Sequence, residues 1–227
     1  MIGQRLALTS ALMLSLLPVG LDAQVFEGRL KVRAAEIEVE EDDTSVLETP
    51  IATLFQREGV DAMQSTVLMK GKRIRVDGGV AEAGEYFIWD LESQMMWLVF
   101  PRERAYAEYP AETAQPDASS ATSARPRALG QRTINGMQTT GYEVRTEDSV
   151  IRAWMTKDHP GLTWSFRRMA NEGQGDAAEA LLAQYGFPVL VQTLGRGSLT
   201  IEEVLSIERA ALADDMFRVP AGFQKKG

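Results

Sequence analysis

The sequence predicts an α+β fold, mainly antiparallel β, arranged as one domain behind an export signal. Three observations carry this prediction. Apolar and polar residues alternate with period two in stretches spread from residue 25 to residue 208, and the breaks between them are short turns rich in Gly, Asn and Asp. Helical spacing is confined to a short segment after Pro50 and to two segments between Asp158 and Gly186. A chain of 227 residues can bury one proper core without covalent staples.

Residues 1–23 read as a signal peptide. Met1 to Arg5 give a short positive start, Leu6 to Leu17 an apolar centre, and Pro18, Gly20 and Ala23 a small-residue close. Cleavage is therefore expected after Ala23, leaving residues 24–227 as a single β-rich domain. No later segment is long and apolar enough to span a membrane. The chain has no cysteine, which removes disulfides, thiolate metal sites and a lipid-modified cysteine, so the mature protein is expected free in the periplasm. A formal charge of −8 and a pI near 4.9 repel phosphate backbones, so no nucleic-acid partner is expected.

From Val25 to Glu40, Phe26, Gly28, Leu30 and Val32 share one strand face, and Ile37 and Val39 follow after a change of phase at Ala34-Ala35 that suggests a bulge. Glu41 to Ser45 form a solvated turn. Ile51, Leu54 and Phe55 then recur at helical spacing in a short helix ending at Gly59. Ser65 to Asp77 returns to strand, interrupted at Lys70-Gly71-Lys72. Glu85 to Asp90, Met95 to Phe100 and Arg104 to Tyr109 make a meander.

If Asp90 pairs with Met95, Ile88 lies opposite Trp97 and Tyr86 opposite Val99, while Phe87, Trp89, Met96 and Leu98 share the other face. Both faces of this hairpin are then apolar, whereas a sheet with one wet face alternates apolar with polar. A helix, the sheet's own curl or a ligand must cover the second face. A flexible loop at about 110–127 is rich in Ala, Ser, Thr and Pro. Asn135-Gly136 suits a two-residue turn between Gln131 to Ile134 and Met137 to Arg145, and Ser149 to Thr156 is a further strand. Asp158 caps the first later helix. Asp176 and Glu179 form a capping box for the second, which Gly186 closes before the strands Phe187 to Leu194 and Ser198 to Glu208.

The polar inventory offers no catalytic constellation. His159 is the one histidine, it sits at a helix start, and no Gly-x-Ser-x-Gly elbow accompanies it. No metal site and no cofactor are expected: zinc lacks ligands, and Glu36, Glu38 and Glu40 read as the wet face of a strand rather than a calcium loop. Carboxylates for glycoside hydrolysis do not pair visibly, and no phosphate-binding glycine motif is present. The informative residues are apolar. Met69, Phe87, Trp89, Met96, Trp97, Leu98 and Phe100 are the candidate ligand-binding set, because flexible methionines and large aromatic faces suit a greasy guest. Which face of the meander would line the cavity stays open: Trp89, Met96, Leu98 and Phe100, or the opposite set with Trp97.

The run Thr66 to Asp77, Tyr86-Phe87-Ile88-Trp89-Asp90, then Met96-Trp97-Leu98 and Phe100-Pro101, resembles the meander of LolA-like outer-membrane lipoprotein carriers. Ile74-Arg75-Val76-Asp77, Tyr106-Ala107-Glu108, Ile134-Asn135-Gly136 with Tyr142, Gly186-Phe187-Pro188 and the closing Phe217 to Phe223 are similar to a related group: exported bacterial proteins of undefined function, with LolA- and LppX-like relatives. The resemblance implies an incomplete, curved antiparallel β-barrel with helices on its concave side and a hydrophobic cavity able to hold acyl chains. Carriers have an Arg-Pro-Gly-like turn where this chain has Lys70-Gly71-Lys72, so no carrier-specific contact residue transfers. The expected function is a periplasmic, non-enzymatic binding protein for a hydrophobic or lipid ligand. The alternative is an interaction or sensor module that docks an envelope protein.

Overall fold

The computed structural model describes residues 26–40, 43–79, 84–110, 126–146, 148–159, 162 and 184–226. The expected signal peptide, most of the expected loop at about 110–127 and most of the two helices expected between Asp158 and Gly186 lie outside the described residues.

Twelve strands among the described residues join one sheet: β1 (Glu27–Glu38), β2 (Met63–Lys70), β3 (Arg73–Gly78), β4 (Tyr86–Asp90), β5 (Met95–Phe100), β6 (Ala105–Pro110), β7 (Arg127–Ile134), β8 (Met137–Arg145), β9 (Ser149–Thr156), β10 (Phe187–Gly195), β11 (Ser198–Arg209) and β12 (Gln224–Lys225). The spatial order is β12-β6-β5-β4-β3-β2-β1-β11-β10-β9-β8-β7. Two antiparallel meanders, β1 to β6 and β7 to β11, are thus zipped together along the long strands β1 and β11, and only the β12–β6 pair is parallel. Strand twist accumulated over so many members leaves one large, curved, open sheet, with few helices among the described residues.

Local chemistry fixes the turns. Asn135 and Gly136 take the positive φ angles, 49° and 81°, that join β7 to β8 in two residues. After β4, Asp90 Oδ1 accepts from the backbone N–H groups of Glu92 and Ser93 at 2.9 and 3.3 Å, so the acidic residue builds the turn into β5. The resulting register pairs Asp90 with Met95, Trp89 with Met96, Ile88 with Trp97, Phe87 with Leu98 and Tyr86 with Val99, as the sequence predicts.

The first strand differs from expectation. β1 runs through Ala34 and Ala35 without interruption, and the irregularity lies between Lys31 and Val32, where Leu205 is the extra residue on β11. Ile37 is buried because the opposite face of the sheet is covered at that end, not because the strand changes phase. Glu36, Glu38 and Glu40 are exposed.

Register divides the sheet into two faces. The first carries Leu30, Val32, Met69, Val67, Ile74, Val76 and Val204, and the opposite face carries Ile37, Ile201, Leu190, Trp154, Ile88 and Val99. Two segments distant in sequence cover the opposite face. A short 3-10 turn (Thr44–Glu48) and a four-residue helix (Ile51–Leu54) contribute Val46, Leu47, Leu54 and half-buried Phe55 to the main core. At the other end, residues 210–223 lay Leu212 and Phe217 on Leu68, and Val219 and Phe223 on the cluster of Tyr86, Ile88 and Val99. Lys70 ties this C-terminal segment down through Leu212 O and Asp214, at 2.6 and 2.9 Å.

Candidate functional site

Met69, Phe87, Trp89, Met96, Leu98 and Phe100 all lie on the first face, by strict register across β2 to β5. Their surroundings grade from closed to partly open. Met69 is fully buried, paired with Ile74 and in the same core cluster as Leu30, Phe26 and the likewise buried Leu162. Phe87 and Trp89 stack at a centroid distance of 5.3 Å and an interplanar angle of 26°, facing Leu98 and Met96, and all four are half-buried. Phe100 shares the face, but the ammonium of Lys226 sits 3.7 Å from its ring centroid at the sheet margin. What is described of the later helices meets the same face: the Tyr185 ring lies 4.1 Å from that of Tyr142 on β8.

Trp97 lies on the opposite face. Its indole N–H donates to Glu108 at 3.3 Å, and its ring packs with Tyr86, Ile88, Val99 and Tyr106 under the C-terminal segment. There it lines a cavity of about 340 Å³ together with Tyr106, Phe217, Val219, Arg73 and Arg218. Asp90 completes the wall. The seven candidates therefore fall into two places: six on one face, graded from a sealed centre to a half-open flank, and one in a separate cavity. Sequence reasoning missed the contribution of Phe217, Val219 and Arg218 to that cavity, since only the tertiary docking of the C-terminal segment brings them to Trp97.

Polar groups concentrate on the opposite face between β1 and β8. Glu143 is buried and accepts from Arg127, Arg145 and Arg152 at 3.0, 2.8 and 2.8 Å. Burial alone would raise its pKa, but the three arginine hydrogen bonds outweigh that and hold it at about 2. Arg152 also donates to Leu47 O and Glu48, which fastens the 3-10 turn to the sheet. Next to this network Glu203 bridges Arg33 and Asn135, and the Arg132 guanidinium lies 3.6 Å above the Trp154 ring. The carboxylates of this network are committed to the arginines and Asn135 across the sheet, which suits them to holding it together. His159 is half-buried, and burial lowers its affinity for a proton.

The model of a family described as a domain of unknown function, DUF4412, matches residues 54–223. The chain belongs to that family. The match begins within the short helix and runs through both meanders to the C-terminal segment, so it takes in the half-open flank and the Trp97 cavity of this DUF4412 chain. No curated protein matches it in sequence. Among solved structures, an uncharacterised conserved protein from Thermus thermophilus is similar at 11% identity and a TM-score of 0.48, over 88% of this chain and 90% of that one. The Pseudomonas aeruginosa MucA/MucB complex is similar at 12% identity and a TM-score of 0.46, over 85% of this chain and 56% of that one. PNGF-II is similar at 10% identity and a TM-score of 0.41, over 88% of this chain and 31% of that one. The DUF4412 chain thus spans about half of the chain it matches in the MucA/MucB complex and about a third of PNGF-II. These likenesses are too distant to carry a function. No helix among the described residues is long and apolar enough to cross a membrane.

Proposed function

We propose that this protein is an exported, periplasmic, LolA-like binding protein that shields an acyl chain or another apolar ligand against the first face of the β4–β5 hairpin, without catalysing a reaction. One observation carries the reading. Phe87, Trp89, Met96 and Leu98 form a continuous half-buried apolar surface, while the same face is sealed by the protein's own side chains around Met69, Leu30 and Ile74. Burying a methylene stabilises by roughly 0.8 kcal/mol, so part of an acyl chain laid along this flank binds usefully with no charged contact. The ligand's polar head stays at the margin, where Lys226 and Glu103 supply charge. Native mass spectrometry of gently purified protein, followed by lipid extraction, is expected to give a co-purified acyl-bearing species. Empty protein that also fails to take up a fluorescent fatty acid overturns the reading.

A second reading has its own support. Tyr109, 44% exposed, pairs with Met96 and extends the apolar flank into solvent, and Met63, 38% exposed, lies on the same face at the far end of β2. That favours an envelope protein docking on this face in place of a lipid. A pull-down from envelope extract separates the two, since a stoichiometric protein partner with no extracted lipid selects docking.

A further inference from the structure

The Trp97 cavity lies across the sheet from the acyl-binding flank and is independent of it. Its walls are apolar and flat: Trp97 and Tyr106 from the sheet, Phe217 and Val219 from the C-terminal segment. Its lining carries two arginines, Arg73 and Arg218, against one carboxylate, Asp90. Arg218 is exposed, and its guanidinium has no hydrogen bond or ion pair among the described residues. Among the described residues the ion pair of Arg73 is a long contact to Asp90, at 3.9 Å. Asp90 is itself engaged, because its other oxygen accepts the two backbone N–H groups of the β4–β5 turn. Asp214, a further carboxylate near both guanidiniums, gives its short contact to Lys70 at 2.9 Å. Two guanidiniums with unspent donors therefore border an aromatic slot on a protein whose formal charge is −8.

We infer that this cavity is a second binding site, specific for a compact organic anion with a flat apolar body, an aromatic carboxylate. The ring system would lie between Trp97 and Phe217, with the carboxylate at the mouth. A planar guanidinium offers paired N–H donors that match a carboxylate's two oxygens, and such charge-assisted pairs exceed neutral hydrogen bonds in strength. A volume of about 340 Å³ falls at the small end of the range for ligand pockets, which fits a two-ring molecule and excludes a full-length acyl chain.

The test uses the full chain, purified after expression with its own N-terminus, with 1-naphthoate as probe and neutral 1-naphthalenemethanol as control. The readout is the Trp97 indole N–H resonance, assigned by its loss in Trp97→Phe, followed beside that of Trp89. Naphthoate is expected to shift the Trp97 signal saturably, and the neutral control to bind about tenfold or more weakly, as loss of a charged hydrogen bond predicts. Arg218→Gln is expected to weaken naphthoate by the same factor without changing the melting temperature, since Arg218 is exposed and its guanidinium is unpaired among the described residues. Absence of saturable binding overturns the inference, as does equal affinity for acid and alcohol. Naphthoate that shifts Trp89 alone and ignores Arg218→Gln also overturns it, while leaving the acyl reading of the first face standing.

Discussion

Glu143 receives hydrogen bonds from three arginines on three strands, so one carboxylate staples β7, β8 and β9 together. Its folded pKa of about 2 lies below the ordinary 4.5, so its stabilisation is complete above pH 4.5 and is lost as pH falls towards 2. The linked free energy is about 3 kcal/mol. Glu143→Gln is therefore expected to be less stable than the parent by about that amount at pH 7, with the gap closing by pH 2. Urea melts of both proteins across that range check it, and a gap that stays constant with pH refutes the role. A neighbouring position makes a steric prediction. A Cβ at Gly141 would stand 2.6 Å from the Trp154 ring, over which the Arg132 guanidinium also lies at 3.6 Å. Gly141→Ala is expected to cost about 2 kcal/mol in the same measurement, as overpacking does.

At the scale of elements, the C-terminal segment decides which sheet residues are core. Phe217 is 4% exposed, wedged between Leu68 and Leu212, and it also walls the Trp97 cavity. Phe217→Ala should destabilise by about 3 kcal/mol or more and abolish naphthoate binding, and urea unfolding with the indole titration reads both. This segment also explains what the sequence made legible. The β4–β5 register followed from period two plus an acidic turn, because both signals are local. The assignment of Trp97 did not, because a hairpin apolar on both faces is symmetric until remote residues cover one of them. The bulge expected at Ala34-Ala35 failed for the same reason. Ile37 is buried on the opposite face, in one core cluster with Val46, Leu47 and Leu54, and burial by a segment that folds back over that face looks in sequence like a change of phase.

At the scale of the whole molecule, two kinds of cover divide the sheet. The opposite face is closed by the 44–55 and 210–223 segments, whereas the first face is sealed at its centre and half-open along β4 and β5. Adjacent residues on β5 expose this asymmetry, since Leu98 belongs to the half-open flank and Val99 is fully buried under the C-terminal segment. A glutamate at Val99 must bury an unpaired charge, which costs several kcal/mol, and for a chain of this size that lowers the melting temperature by about 10 °C or more. A glutamate at Leu98 keeps a route to water and costs about 1 kcal/mol, a shift of only ~3 °C. Binding should run in the opposite sense: Leu98→Glu places a charge where an acyl chain would lie and is expected to remove uptake of a fluorescent fatty acid from a protein that still folds. Thermal melts and probe titration of the two variants decide it. If Leu98→Glu folds and still takes up the probe, the half-open flank is not where the ligand lies.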